Sequence, residues 1–437
     1  MSMEQKAPWY GFSEYRIYRI DDTVYECRMI KDLKRVLMYN LETGQEEFVE
    51  TPVTEQMPDN IADVTESYLT EHPEYATKRM EKAIEYIEKD KNYLKGRNLL
   101  YALGVNGDRE AQYWIGMCFY WDETHFYQPK ECNNWLEKAA VQGHVKAQFA
   151  LARNYDEGFG TEKAPVLAAK WYEKAAENGH AKAAAYTGLQ YEWGTGVKKD
   201  PEKAFSWYQI AAEKNDRTGI QLLGEAYMNG VGTEVDYHKA LEYFELAGEM
   251  GNPRGAFCAA KIQDPVYGVD GMEDEWAAER WYQKAKELKS PEAFFYLGLH
   301  HMNGTCGMVE LKSSGIRMLE EGARLGNTSC MVYLGQSYLF GKNGCEKKEE
   351  RAFKNFLKAA QGGAGLGMAF LGMCYINEWG TTRDLEQARI WGEKACQAGE
   401  SHGEEVLEKL DAIEAERKQK EQEEQPKRRG LFGRRKK

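Results

Sequence analysis

The sequence predicts a mostly α-helical protein, a right-handed α-solenoid of antiparallel helix pairs with a small antiparallel β module ahead of it. Three observations carry that expectation. A small residue opens the same helical pattern eight times, at Ala111, Ala147, Ala183, Gly219, Gly255, Ala293, Cys330 and Gly367, with spacings of 36, 36, 36, 36, 38, 37 and 37 residues. Five positions after each opener stands only Gly or Ala: Gly116, Ala152, Gly188, Gly224, Ala260, Gly298, Gly335 and Gly372. A glycine-rich turn follows, tightest at Gly158-Phe159-Gly160, Gly194-Thr195-Gly196 and Gly230-Val231-Gly232. A fixed period of this size means one supersecondary unit repeated along an axis, each copy burying its apolar side on its neighbours.

Residues 1–60 read as the β module. Tyr15–Ile20, Val24–Ile30, Arg35–Tyr39 and Glu46–Glu50 are short, rich in β-branched and aromatic residues, and separated by turns at Asp21-Asp22 and Glu42-Thr43-Gly44. Residues 61–107 form a helical cap in which Leu99, Leu103-Gly104 and Gly107 fall in register as the second helix of a degenerate copy. The repeats fill 108–402. A charged helix over 403–425, with Val406, Leu407, Leu410 and Ile413 on one side, covers the last copy and then projects into solvent. Pro426 is expected to end it, leaving 426–437 as a basic disordered tail.

Within a copy, positions one, four, five and eight after the opener share one side of helix A, as in Ala184, Thr187, Gly188 and Tyr191, and form its buried stripe. Gly costs about 1 kcal/mol in a helix interior, so its recurrence at position five needs a recurrent reason, which close helix approach supplies. Glycines at alternate positions also occur in phosphate loops, but such a loop follows a buried strand and here a helix precedes every one. Helix B opens with an N-cap carboxylate, Asp200, Asp236 or Asp384, and sets a large side chain one turn ahead of a small one, as in Trp207-Tyr208 and Ala211-Ala212. It ends at Gly143, Gly179, Gly251, Gly326, Gly363 and Gly399.

Ala183, Gly188, Tyr191, Gly194-Thr195-Gly196-Val197, Asp200, Lys203-Ala204, Trp207-Tyr208 and Ala211-Ala212 together resemble the Sel-one-like repeat family, a relative of the tetratricopeptide repeat. The paired-glycine turn and the longer period separate the two. The resemblance covers about 108–402 and implies an α-solenoid that binds other proteins or organises complexes, with no reaction and no particular partner. The fifth copy departs furthest: Gln263 replaces the usual aromatic, Pro265 ends helix A early, and two extra residues lengthen it.

Positions two, six and nine of helix A form a second stripe, free of the repeat's packing constraint and rich in Phe, Tyr, Met and Leu. Its sets include Phe149/Arg153/Asp156, Ala185/Leu189/Glu192, Phe257/Lys261/Asp264, Phe295/Leu299/Met302 and Val332/Gln336/Leu339. Such a stripe suits a groove for a partner peptide or helix. Phe149, Arg153, Phe257, Lys261, Phe295 and Met302 are the candidate contacts; the alternative is that they pack on the adjacent copy.

The net charge is −12 and the last eleven residues contribute +7, so everything before them carries −19. That disfavours nucleic-acid binding by the body. Lys427, Arg428, Arg429, Leu431, Phe432, Arg434 and Arg435 are candidates for contact with an anionic membrane, with nucleic-acid phosphates, or with the acidic body itself. The start lacks a basic flank and apolar run of signal-peptide length, which predicts a cytoplasmic location. Nine cysteines fall at phases that do not pair, so free thiols in a reducing compartment are expected. No nucleophile elbow or zinc pair appears; His300-His301 with Cys306 lacks a second chelating pair, and the recurrence of His144 and His180 points to a structural role beside a helix C-terminus. The function that follows is a non-catalytic scaffold or adaptor without cofactors. The alternatives are a membrane-surface adaptor localised by the tail, and an enzyme or small-molecule binder.

Overall fold

The computed structural model describes residues 15–20, 23–30, 35–40, 46–50, 61–63, 65–121 and 128–432, with side chains over 67–121 and 128–420. Two compact units divide at Glu234 and Val235. In the first, β1 (Tyr15–Ile20), β2 (Thr23–Ile30), β3 (Arg35–Asn40), β4 (Glu46–Glu50) and β5 (Ile61–Asp63) form an antiparallel sheet in the order β4-β3-β2-β1-β5. Residues 61–63, expected in the helical cap, instead pair with β1, Ile61 opposite Ile20 and Asp63 opposite Tyr18. A three-residue edge strand takes its conformation from its neighbour's free hydrogen-bonding edge.

The helices of this unit are α1 (Thr65–Glu71), α2 (Pro73–Glu88), α3 (Tyr93–Val105), α4 (Arg109–Trp121), α5 (Pro129–Val141), α6 (Val145–Glu157), α7 (Pro165–Glu177), α8 (Ala181–Trp193), α9 (Pro201–Glu213) and α10 (Arg217–Asn229). The second unit contains α11 (Tyr237–Glu249), α12 (Pro253–Gln263), α13 (Glu275–Glu287), α14 (Pro291–Asn303), α15 (Lys312–Arg324), α16 (Thr328–Phe340), α17 (Glu349–Gln361), α18 (Gly365–Asn377), α19 (Leu385–Gln397) and α20 (His402–Phe432). Among the described residues no helix is long and apolar enough to cross a membrane.

Small residues set the helix spacing. A Cβ on Gly188 would lie 2.4 Å from the Tyr208 ring, one on Gly335 2.5 Å from Phe356, and one on Gly298 2.8 Å from Leu319. The knob of helix B thus rests on the bare backbone of helix A. In the turn, Gly196 combines φ +75° with a Cβ position 2.1 Å from the carbonyl oxygen of Pro165, the first residue of the preceding copy's helix B. Gly160 and Gly232 meet Pro129 and Pro201 in the same way. These three turns therefore latch onto the copy before them, and no side chain fits there.

Helix starts are capped from within. His144 and His180, expected beside a helix C-terminus, are the N-caps of α6 and α8: Nδ1 accepts from the amides of Ala147 and Ala183 at 3.1 Å. Asp108, Asp216, Asn252 and Asn327 do the same for other helix A copies. The Nε2–H of His144 donates to Glu110 at 2.9 Å, which fixes the tautomer.

At the C-terminal end Val406 and Leu410 are buried against Ala369, Ile376, Ala388 and Ala395, while residues 415–420 are exposed. Contrary to the expected stop at Pro426, α20 runs on to Phe432. A proline removes one hydrogen bond and costs about 3 kcal/mol, which kinks or weakens a helix without forbidding it. The side chains of Lys427, Arg428, Arg429, Leu431 and Phe432 lie outside the described residues, as do Arg434 and Arg435 entirely.

Candidate functional site

Position nine of helix A takes two forms. Where it is acidic, the helix B knob is a tyrosine: the Tyr208 hydroxyl donates to Glu192 at 2.5 Å, and that of Tyr282 to Asp264 at 2.6 Å. Burial, followed by these carboxylates, holds both phenols above their ordinary range. Asp156 and Tyr172 occupy the same phases, but the Tyr172 hydroxyl is buried without a hydrogen bond. In the other copies Tyr120, Met228, Met302, Leu339 and Ile376 accompany Leu136, Phe244, Leu319, Phe356 and Gly392. Glu192 and Asp264 thus serve the packing of their own copy, while Asp156 does not receive its tyrosine.

Asp264 is the extreme case. It precedes Pro265, which pushes its backbone to an extended conformation (φ −68°, ψ 121°) and ends α12 after 11 residues. Its Oδ1 accepts from the amides of Val266 and Tyr267 at 2.8 and 3.0 Å, and its Oδ2 accepts from Tyr282 and from His300 Nε2 at 2.9 Å. The Thr305 hydroxyl meets His300 Nδ1 at 2.8 Å. Burial raises the Asp264 carboxyl, but the hydrogen bonds from His300, Tyr282 and the Val266 amide outweigh it and hold the group at about 2. Both side chains of the Asp264–His300 pair are 0 % exposed, so this network organises the turn and is closed to a substrate. Among the described residues no group of three His, Cys, Asp or Glu is placed to hold a metal. Cys306 is buried with Sγ 3.8 Å from the Glu275 carbonyl, and burial pushes its thiol up to about 12.

The six candidate contacts part company. Phe149 stacks on His180 with ring centroids 4.4 Å apart, and Arg153 is held by Glu157 at 3.0 Å. Phe257 packs against Tyr282 and Tyr296. Lys261 donates to the Tyr267 carbonyl and lies 4.5 Å from the centre of the Tyr296 ring; burial lowers its pKa. Met302 is 4 % exposed, in the core with Leu319 and against Gly315, where a Cβ would meet its Cγ at 2.5 Å. It is a packing residue and no contact for a partner. Phe295 opens onto a hollow.

That hollow, about 420 Å³, lies in the second unit along α14, α16 and the start of α18. Phe295, Val332, Tyr333 and Leu366 supply apolar walls, Gln336 a carboxamide, and Glu400 the charge. Phe295 and Tyr333 meet edge to face at 6.3 Å. Val332 and Gln336 belong to the second stripe, whereas Tyr333, Leu366 and Glu400 escaped it. Tyr333 sits one place further round at position three, and the other two come from the next copy and its end.

The Sel1 repeat model matches at 109–144, 145–180, 181–216, 220–252, 267–290, 291–327, 328–363 and 365–400. The fifth match omits α12, the helix shortened by Pro265. A protective antigen of uropathogenic Escherichia coli with an SLR fold is similar at 25 % identity and TM-score 0.53, over 74 % of this chain and 69 % of that one. A Sel1 repeat protein from Oxalobacter formigenes is similar at 27 % identity and TM-score 0.50, over 71 % and 89 %. No curated protein matches. With the repeat model matched over more than half its length, in register with the glycine turns and caps, the chain belongs to the Sel1-repeat family.

Proposed function

We propose that the chain is a non-catalytic interaction scaffold that holds a peptide or helix of a partner protein in the hollow along α14, α16 and α18. The observation that carries this is the hollow itself: a depression with apolar walls and a few polar groups is the form a recognition site takes. Repeat architecture supports it, because the packing positions hold the scaffold and leave other positions free to vary. The same proposal places the chain in a reducing compartment of the cytoplasm. Six of the eight described cysteines are buried as free thiols within the helix packing.

The test is photo-crosslinking. A benzophenone side chain at Ser329, exposed on the rim of the hollow, is expected to give a discrete protein adduct in cells. One at Lys354, exposed on α17, is expected to give none. Equal labelling at both positions, or adducts from Lys354 only, would contradict the proposal.

A further inference from the structure

Resting on that reading, we propose the chemistry of the occupant: a segment of a partner chain that carries a large apolar side chain with a Lys or Arg one or two positions away. Three features of the hollow point to it. Phe295, Val332, Tyr333 and Leu366 leave an apolar space of about 420 Å³, near the lower end of ligand pockets and suited to one or two side chains. Glu400 is the one charged residue that lines it. Its Oε1 is engaged by the His402 ring at 2.5 Å and by the His402 amide, while Oε2 accepts no hydrogen bond from the described residues. A half-buried carboxylate with a free oxygen beside apolar walls favours a cation and repels an acidic peptide.

Gln336 supplies the third feature. It is half-buried in the wall of the hollow and makes no hydrogen bond with the described residues. A carboxamide offers one acceptor and two donors, the complement of a peptide unit with its N–H and C=O. An extended backbone segment satisfies it, with the apolar side chain turned into the hollow and the cation reaching Glu400. The acidic excess of the chain, −12 overall, steers the same kind of ligand.

The probe is a random peptide library displayed on phage and selected on the full chain, followed by affinity measurements with the enriched peptides. The expected peptides share a large apolar residue flanked by Lys or Arg. Glu400→Gln weakens them by about tenfold, the loss of one charge-assisted hydrogen bond. Phe295→Ala and Gln336→Ala also weaken them, and Gln336→Ala, a change to a partly exposed polar side chain, keeps the test valid if Phe295→Ala fails to fold. Peptides that depend on Phe295 or Gln336 but lack a basic preference and ignore Glu400→Gln overturn this inference and leave the scaffold reading standing. No enrichment, or peptides indifferent to Phe295→Ala and Gln336→Ala alike, overturns both.

Discussion

Glu192 and Tyr208 stand 16 residues apart and meet at 2.5 Å, and their pairing couples two positions across a helix pair. A tyrosine knob places a hydroxyl inside the copy, and a buried hydroxyl needs an acceptor. Tyr208→Phe is therefore expected to cost about 1–2 kcal/mol in the local opening free energy of α8 and α9, by native-state hydrogen exchange. With that change in place, Glu192→Leu, which reproduces the Leu339/Phe356 pairing of the seventh copy, is expected to cost less than it does alone, with a coupling of about 1 kcal/mol. Simple additivity would contradict the pairing. His180 gives a pH dependence. Burial lowers its pKa below 6.5 against the opposing charge of Asp216, and its Nδ1 must stay unprotonated to cap α8. The folded form then binds fewer protons than the unfolded one, so the cap's contribution is full above about pH 6.5 and is lost as pH falls towards the depressed value. The protection factor of the Ala183 amide is expected to drop on acidification. His180→Asn, the cap used at Asn252 and Asn327, is expected to abolish that drop.

At the scale of the element, the bare backbone at position five decides the spacing of helix A and helix B. Gly188→Ala gains about 1 kcal/mol of helix propensity, yet its Cβ falls 2.4 Å from the Tyr208 ring. Overpacking of this kind costs about 1–3 kcal/mol, so a net loss of stability in α8 and α9 is expected, and a rise in their protection would contradict the packing account. Helix limits were legible because caps, turn glycines and knob-and-hole pairs repeat with the period. The exceptions have physical causes. Ile61–Asp63 is too short for any pattern and takes its form from β1. Helix α20 continues past Pro426 because the propensity of the Glu-, Lys- and Gln-rich run offsets one missing bond. His144 and His180 read as neighbours of the C-terminus of helix B, because the glycine before each marks that end, but the ring of each caps the helix that follows.

For the whole molecule, the proposed ligand, a peptide with apolar and basic character, rests on the acidic excess of the chain and on the hollow in the second unit. The site was legible only in part. Phe295, Val332 and Gln336 lay on the second stripe, but that stripe mixes surface with core: at position nine Asp264 turns inward to Tyr282 and Met302 to Leu319, which removes both. Tyr333 was missed because position three belongs to neither stripe read from the sequence. Glu400 and Leu366 were missed because a pattern read along one helix does not report what the next copy brings beside it. The most direct measurement of the central claim is hydrogen exchange of the full chain with and without a peptide selected on it. Slowed exchange confined to α14, the first half of α16 and the start of α18 is the predicted result. Slowing instead around Tyr101, Trp135 and Gln142, which line a separate hollow on α3 and α5, would contradict it.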